Sequence, residues 1–281
     1  MLKKQDALFL AVVAALFAPF FLSDACYAAY VRVNAERGFL LSAVKFGVLA
    51  TMGEVIALRI RTGRYHAPGF GIVPRAIVWA LLGVAIKGAF VVFGVGAPQL
   101  LQTLGLPCGP EVMKGGVSVA KVAGAFAISA SMNLTFAPVM MLTHKVTDEH
   151  IARRGGTVRG LLSPVPVMDI LQKIDWKVMW GFVLKKTIPL FWIPAHTVTF
   201  LLPAQLQILF AALLGVALGV LLAIGSLRSR VPQARRAAPT ALHASQQDAV
   251  RSDRCAASTV AAVTRTNPGK TPADACPDGT S

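Results

Sequence analysis

Apolar runs long enough to cross a lipid bilayer dominate this chain of 281 residues. A helix needs about 20 consecutive apolar residues to span the hydrocarbon core of a membrane. Six runs approach or exceed that length, at residues 7–22, 39–58, 76–95, 117–141, 178–202 and 206–224. Only 15% of the residues are charged, whereas soluble domains average about 25%. We therefore predict an all-α, polytopic transmembrane helical bundle of about six spans.

The basic residues lie mainly on one side of this predicted membrane. The N-terminus, the loops before the third and fifth runs, and the C-terminal segment carry most of them, whereas the opposite side holds only Arg32, Arg37 and Lys114. Cytoplasmic loops concentrate Lys and Arg, so the pattern predicts a multi-pass protein with both termini in the cytoplasm. The net charge of +15 is explained by topology. The basic C-terminal segment has no Phe, Tyr or Trp, so membrane lipids rather than nucleic acids are the expected partners.

Composition divides the chain into two parts. Residues 1–225 form the predicted transmembrane domain, and residues 226–281 a disordered basic tail, because that segment is rich in Arg, Ala, Ser, Thr and Pro without apolar periodicity. The first run is interpreted as an uncleaved helix. The alternative is a signal peptide with a cleavage site near Ala28, since a basic start precedes a short apolar run.

Two segments in the second half depart from a simple span. Apolar residues recur at helical spacing near 167–177, with Asp169 and Lys173 off that face, which predicts a short helix on the membrane surface. The run at 178–202 contains two lysines and also Pro189 and Pro194. Proline removes a backbone hydrogen bond, so this span is expected to be irregular or kinked.

Glu54 is the only carboxylate inside the predicted spans, which also contain five lysines: Lys45, Lys87, Lys121, Lys185 and Lys186. A charge at the bilayer centre costs at least ~3 kcal/mol without a partner or water. Helical rise places Glu54, Lys87, Asn133 and Lys185 near one level in the cytoplasmic half. They either line a water-accessible pore, for which the lysine excess favours anions, or include a buried Glu–Lys pair that fixes helix register, with the other lysines reaching the headgroups.

Small residues mark candidate helix-packing faces. Gly47 and Ala50 share a helical face with Glu54, and Gly215 and Gly219 form a GxxxG pattern in the last run. Small residues allow helix backbones to approach closely. We predict packing within the bundle, with a homo-oligomer interface as the alternative.

No catalytic or cofactor motif is present in the sequence, so neither an enzyme nor a cofactor is predicted. His144 and Asp148 have i, i+4 spacing, with His150 nearby, and the two interpretations are a metal site or the polar end of a helix leaving the membrane. We favour the helix end and predict no metal. Cys26 and Cys108 fall on the same side of the predicted membrane, where they either pair or remain free, and free thiols are favoured.

The order of features resembles the Mpv-seventeen/peroxisomal membrane protein family, and its bacterial members in particular. The similarity is carried by KFGVLATMGEVIALRI with Gly53-Glu54, by Pro74-Arg75 and Trp79, by SMNLTFAPVMMLTHKVTDEHI, and by FWIPAHTVTFLLP. It covers residues 39–224, although the family usually has four spans, and here Ile193 separates the Trp and Pro of the end motif. The resemblance implies a helical protein of a bacterial cytoplasmic (inner) membrane that acts as a channel for small metabolites.

The resulting functional hypothesis is a channel or transport pathway for small solutes. The alternative is a non-transporting membrane scaffold that assembles through the small-residue faces.

Overall fold

A computed structural model describes residues 4–224, and every regular element in that range is helical. This confirms the predicted all-α bundle, whereas the predicted tail at 226–281 lies outside the described residues. The elements are α1 (Lys4–Leu22), α2 (Asp24–Glu36), α3 (Gly38–Thr62), α4 (Ile72–Thr103), α5 (Pro110–Lys114), α6 (Val119–Arg153), α7 (Val158–Leu161), α8 (Val167–Lys173), α9 (Trp176–Val178), a π-helical segment π1 (Met179–Trp192), α10 (Ile193–Leu201) and α11 (Ala204–Ile224).

Within the described residues, five helices are long and apolar enough to cross a membrane: α1, α3, α4, α6 and α11. The chain is therefore a multi-pass membrane protein. The predicted span at 178–202 is absent from this set because α9, π1 and α10 divide it. Pro189 lies inside π1 and Pro194 begins α10, and at the junction the Ile193 N–H bonds to the Ile188 carbonyl, five residues back. The predicted irregularity of this span is confirmed.

Several helix boundaries differ from the sequence prediction, and α4 in particular extends from Ile72 to Thr103 through Pro98. Helix α6 continues to Arg153, twelve residues past the predicted end at residue 141, so Pro138 does not terminate it. Helix α2 was not predicted, and Ser23 caps it by accepting a hydrogen bond from the Cys26 N–H at 3.3 Å. The short helix predicted near 167–177 is split into α8 and α9. Cys26 and Cys108 are free thiols, as favoured from the sequence.

Helices α3 and α4 approach each other closely at Gly83, where the absence of a side chain permits the contact. A Cβ on Gly83 would lie 2.7 Å from both the Ser42 carbonyl oxygen and the Phe46 Cβ. In return the buried Ser42 hydroxyl donates to the Gly83 carbonyl at 2.7 Å. Apolar residues of α3, α4, α6, α10 and α11 complete the main core, including Phe46, Leu49, Ile86, Phe90, Ile128, Met132, Phe200 and Ile208.

Helix α1 lies at the edge of the bundle with no buried residue, and polar contacts attach its first turn. Asp6 accepts two hydrogen bonds from Arg59, each 2.8 Å long, and a third from the Tyr65 hydroxyl. The Phe9 ring stacks on the Tyr65 ring with centroids 5.0 Å apart. Partial burial and the bond to the Asp6 carboxylate raise the pKa of the Tyr65 phenol. The start of α1 is therefore attached to the end of α3.

Candidate functional site

An ion cluster joins three helices at one end of the bundle. Glu54 lies in the second half of α3, Arg75 in the first turn of α4, and His144 and Asp148 near the end of α6. Because α3 and α6 run antiparallel to α4, the end of α3, the start of α4 and the end of α6 meet on the same side. We call the set of Glu54, Arg75, Trp79, His144 and Asp148 the ion cluster.

Arg75 is the bridge of the ion cluster. Its Nη1 lies 2.5 Å from Glu54 Oε2 and 2.5 Å from Asp148 Oδ1. Its Nε donates to the Phe70 carbonyl at 2.7 Å, and the guanidinium stacks over the Phe70 ring, 4.5 Å from the centroid. The side chain is only 11% exposed. One cation therefore connects α3 and α6 through charge-assisted hydrogen bonds, the strong class of such bonds.

The other carboxylate oxygen of Glu54 is also satisfied. Oε1 accepts from Trp79 Nε1 at 2.8 Å and lies 2.9 Å from His144 Nε2. His144 Nε2 is also 3.6 Å from Asp148 Oδ1. Since a carboxylate can only accept, Nε2 of His144 must carry a hydrogen. The Trp79 and His144 rings pack together with centroids 4.3 Å apart, which fixes both donors toward Glu54.

Two glycines shape the turn that presents Arg75. Gly71 precedes α4 with φ of 68°, and Gly156 follows α6 with φ of 70°, both in the left-handed region that favours glycine. A Cβ on Gly71 would lie 2.7 Å from the Ile151 Cγ2, and a Cβ on Gly156 would lie 2.7 Å from the Gly71 nitrogen. The start of α4 is thus packed against the turn after α6, which brings Arg75 to Asp148.

The charges of the ion cluster nearly balance. Two carboxylates face one guanidinium and one imidazole, so the cluster is neutral when His144 carries two protons and has one negative charge when His144 carries one. One ligand atom from each of Glu54, His144 and Asp148 lies within 4.8 Å of the others, a separation that could accommodate a metal ion. Arg75 Nη1, however, already contacts both carboxylates. The donor set therefore fits the guanidinium it contains, and a metal would have to displace Arg75.

The charge partner of Glu54 differs from the sequence prediction. Glu54 pairs with Arg75 and His144 rather than with Lys87. The Lys87 Cε lies 3.5 Å from the position of a Cβ on Gly38, at the start of α3 and away from Glu54. Lys185 is exposed on π1. The correction follows from the start of α4 at Ile72, which places Arg75 in its first turn beside Glu54 and Lys87 about 18 Å farther along the helix.

Asn133 belongs to a second polar site in the core. Its amide nitrogen donates to the Ser129 carbonyl at 2.8 Å and lies 3.2 Å from His196 Nδ1. Asn133 is 1% exposed and His196 is 8% exposed. Of the four polar residues predicted to share one level, Glu54 and Asn133 therefore belong to two different sites.

The predicted packing residues are mainly intramolecular. A Cβ on Gly47 would lie 3.2 Å from the Ala76 carbonyl, and one on Gly219 would lie 3.9 Å from the Gly53 carbonyl. Ala50 is buried in the main core. Gly215 differs, since no atom lies within 4 Å of its Cβ position.

A cavity of about 520 Å³ lies toward the opposite end of the bundle from the ion cluster. Its buried apolar lining includes Phe90 of α4, Ile128 of α6 and Phe200 of α10. More exposed polar residues complete the wall: Lys114, Lys121, Gln205 and Gln207. Phe90 is fifteen residues from Arg75 along α4, about 22 Å at the helical rise.

Comparison with known proteins gives no match, since no family model fits the chain and neither a curated protein nor a solved structure is similar to it. The resemblance drawn from the sequence stays a prediction.

Sequence reasoning missed most of the ion cluster. The apolar runs predict a loop position for Arg75, no polar role for Trp79, and a helix end facing water for His144 and Asp148. The i, i+4 spacing of His144 and Asp148 was the available signal, because it places both side chains on one helical face.

Proposed function

We propose that this chain forms a pathway for small solutes across the membrane, with the cavity as its entrance and the ion cluster as its closed end. The observation that carries the proposal is the position of the cavity. It lies between α4, α6 and the turn from α10 to α11, and it reaches exposed Lys114 at its wall. A cavity at one end of the bundle, with buried apolar side chains and an exposed lysine in its wall, is a candidate entrance for a solute.

Phe90, Ile128 and Phe200 are the buried residues of the cavity wall, and in this proposal they form its inner end. The Phe90 and Phe200 ring centroids are 4.8 Å apart, so the two rings form an apolar barrier. Passage requires these side chains to change rotamer or the helices to separate. Since π1 and α10 lack a continuous α-helical hydrogen-bond pattern, this is the segment at which we expect movement. Irregular backbone at membrane depth is commonly found beside solute paths.

At the other end, the ion cluster acts as the gate. Arg75 bonds to α3 through Glu54 and to α6 through Asp148. Separation of α6 from α4 must break the Arg75–Asp148 pair, whereas the Arg75–Glu54 pair can remain. The bacterial inner membrane as location, with cytoplasmic termini, is part of the proposal, and the distribution of Lys and Arg supports the orientation of the termini.

The test is solute flux in vesicles that contain the purified full-length chain. The panel includes chloride, nitrate, acetate and an uncharged sugar of similar size. We expect flux of at least one anion, and we expect Asp148→Asn to increase it because the bond between α4 and α6 is weakened. Leu81→Ala is the control, since Leu81 is 66% exposed on the outer surface of α4. Absence of flux for every solute, with both the unmodified chain and Asp148→Asn, would refute the pathway.

The alternative is a scaffold, and Gly215 favours it. This residue leaves open space beside α11 in which another helix can approach. Under this alternative, Gly215→Leu reduces the crosslinked oligomer, while Gly88→Leu, which also meets no neighbour within 4 Å, leaves it unchanged. Equal crosslinking of both variants would exclude assembly through this part of α11.

A further inference from the structure

Two buried N–H groups near the middle of the bundle lack an acceptor. In the described part of the chain, neither Trp192 Nε1 nor His196 Nε2 has a hydrogen-bond partner, and both atoms are inaccessible to solvent. The two residues are four positions apart at the junction of π1 and α10, and their ring centroids are 5.3 Å apart. An unsatisfied buried polar group costs about 1–3 kcal/mol, so two such groups on neighbouring rings form a candidate site for a hydrogen-bond acceptor.

The hydrogen bonds around His196 determine which ring nitrogen is the donor. Asn133 Nδ2 bonds to the Ser129 carbonyl at 2.8 Å, and a carbonyl can only accept, so this amide atom is the NH₂ group. The same NH₂ lies 3.2 Å from His196 Nδ1, which must therefore accept. The hydrogen of the neutral ring is then on Nε2. His196 and Trp192 thus present two donors and no acceptor.

The surroundings favour an acceptor that brings no hydrogens of its own. The Ile193 carbonyl at this level already accepts from the Ser129 and Thr197 hydroxyls, at 2.7 and 2.8 Å. Both of its lone pairs are used, so it cannot receive a hydrogen from a bound water. An anion has no such requirement, and its bonds to N–H donors are about twice as strong as neutral ones.

Position and charge connect this pair to the cavity. The Phe90 ring that lines the cavity packs edge-on against the His196 ring, with centroids 5.9 Å apart. Lys87 lies one turn before Phe90 on α4, and Lys185 lies two turns before Trp192 on π1. Neither lysine forms an ion pair within residues 4–224. The two lysines therefore carry positive charges without an ion-pair partner on the same helices as Phe90 and Trp192.

We propose that Trp192 Nε1 and His196 Nε2 bind a small monovalent anion. The site lies beside the Phe90 ring, which also lines the cavity. The assignment deepens the proposed pathway, on which its role as a step in transport rests, and it names small anions as the transported class. Binding itself does not depend on flux, so the two proposals can fail separately.

Trp192 provides the readout. In a Trp176→Phe/Trp180→Phe background, the detergent-purified full-length chain is titrated with iodide at constant ionic strength, with gluconate as the replacement anion. We expect saturable quenching of fluorescence that chloride, which does not quench, reverses by competition. A further Trp192→Phe change should remove the saturable component and leave only the Trp79 signal.

Variants at His196 identify the second donor. His196→Leu removes the N–H and should raise the apparent Kd for iodide about tenfold, the effect of losing one hydrogen bond to a charged ligand. His196→Gln retains an amide donor and should remain within a few-fold of the background protein. Val198→Ala is the control, because Val198 is 50% exposed on the same helix.

The test of the anion site does not depend on whether His196→Leu folds, because it is made with the background protein. Quenching that is linear in iodide concentration, or insensitive to chloride, in the background protein would overturn the site. Collisional quenching would then explain the fluorescence change, and a bound water would be the partner of the two N–H groups. Saturable, chloride-sensitive binding without flux would keep the site and refute the pathway. Flux without such binding would keep the pathway and refute the site.

Discussion

Replacing Arg75 by glutamine tests whether the ion cluster holds the bundle together. Arg75 is the only permanently charged cation among the cluster residues. Its Nη1 lies 2.5 Å from an oxygen of Glu54 and 2.5 Å from an oxygen of Asp148. Arg75→Gln therefore leaves two partly buried carboxylates with only His144 to compensate. Removal of one partner of a buried ion pair costs about 3–5 kcal/mol. For a domain of this size that loss lowers the melting temperature by roughly 6–20 °C.

Glu54→Gln should cost less than Arg75→Gln. The glutamine oxygen can still accept from Trp79 and His144, and Arg75 keeps Asp148 as its anion. We expect a loss of about 1–2 kcal/mol, the range for a hydrogen bond that loses its charge. The double variant removes one positive and one negative charge, so it should be more stable than Arg75→Gln alone. The cycle then gives a favourable coupling energy between the two residues that exceeds the cost of Glu54→Gln alone, about 1–2 kcal/mol.

The assay is thermal unfolding of the full-length chain in detergent, followed by circular dichroism. Arg64→Gln is the matched control, because Arg64 is exposed in the loop before α4 and surface changes alter stability by about 0.5 kcal/mol or less. The reasoning is refuted if Arg75→Gln has the same melting temperature as the Arg64→Gln control. It is also refuted if the stability losses of Arg75→Gln and Glu54→Gln add in the double variant.

Two further changes test how the rest of the bundle is held. Gly83→Ala should destabilise the chain by about 1–3 kcal/mol, because its Cβ would lie 2.7 Å from α3; Gly88→Ala on the same helix has free space, and equal melting temperatures would contradict the close contact. Asp6→Asn should speed amide hydrogen exchange in α1 several-fold without changing α4, because Asp6 joins α1 to Arg59. Unchanged exchange in α1 would show that other contacts hold it.

The helical class, the multi-pass character and the irregular span near Pro189 and Pro194 were predictable from residue order. Each depends on local properties: the length of apolar runs, and the missing N–H of proline. The sequence also showed that Glu54 lies among apolar residues, where a charge has a high free-energy cost. It therefore correctly indicated that this carboxylate needs partners.

The identity of those partners depended on tertiary structure. Helix α6 extends past Pro138 to Arg153 and turns His144 and Asp148 inward, while the packing of Gly71 against Gly156 brings Arg75 to the same point. Residues 54, 75 and 144 are distant in sequence, so no periodicity relates them. Apolar length alone determined that the chain enters a membrane as helices, whereas close packing at glycines decided which charges meet, because charge pairing depends on distances of a few ångströms.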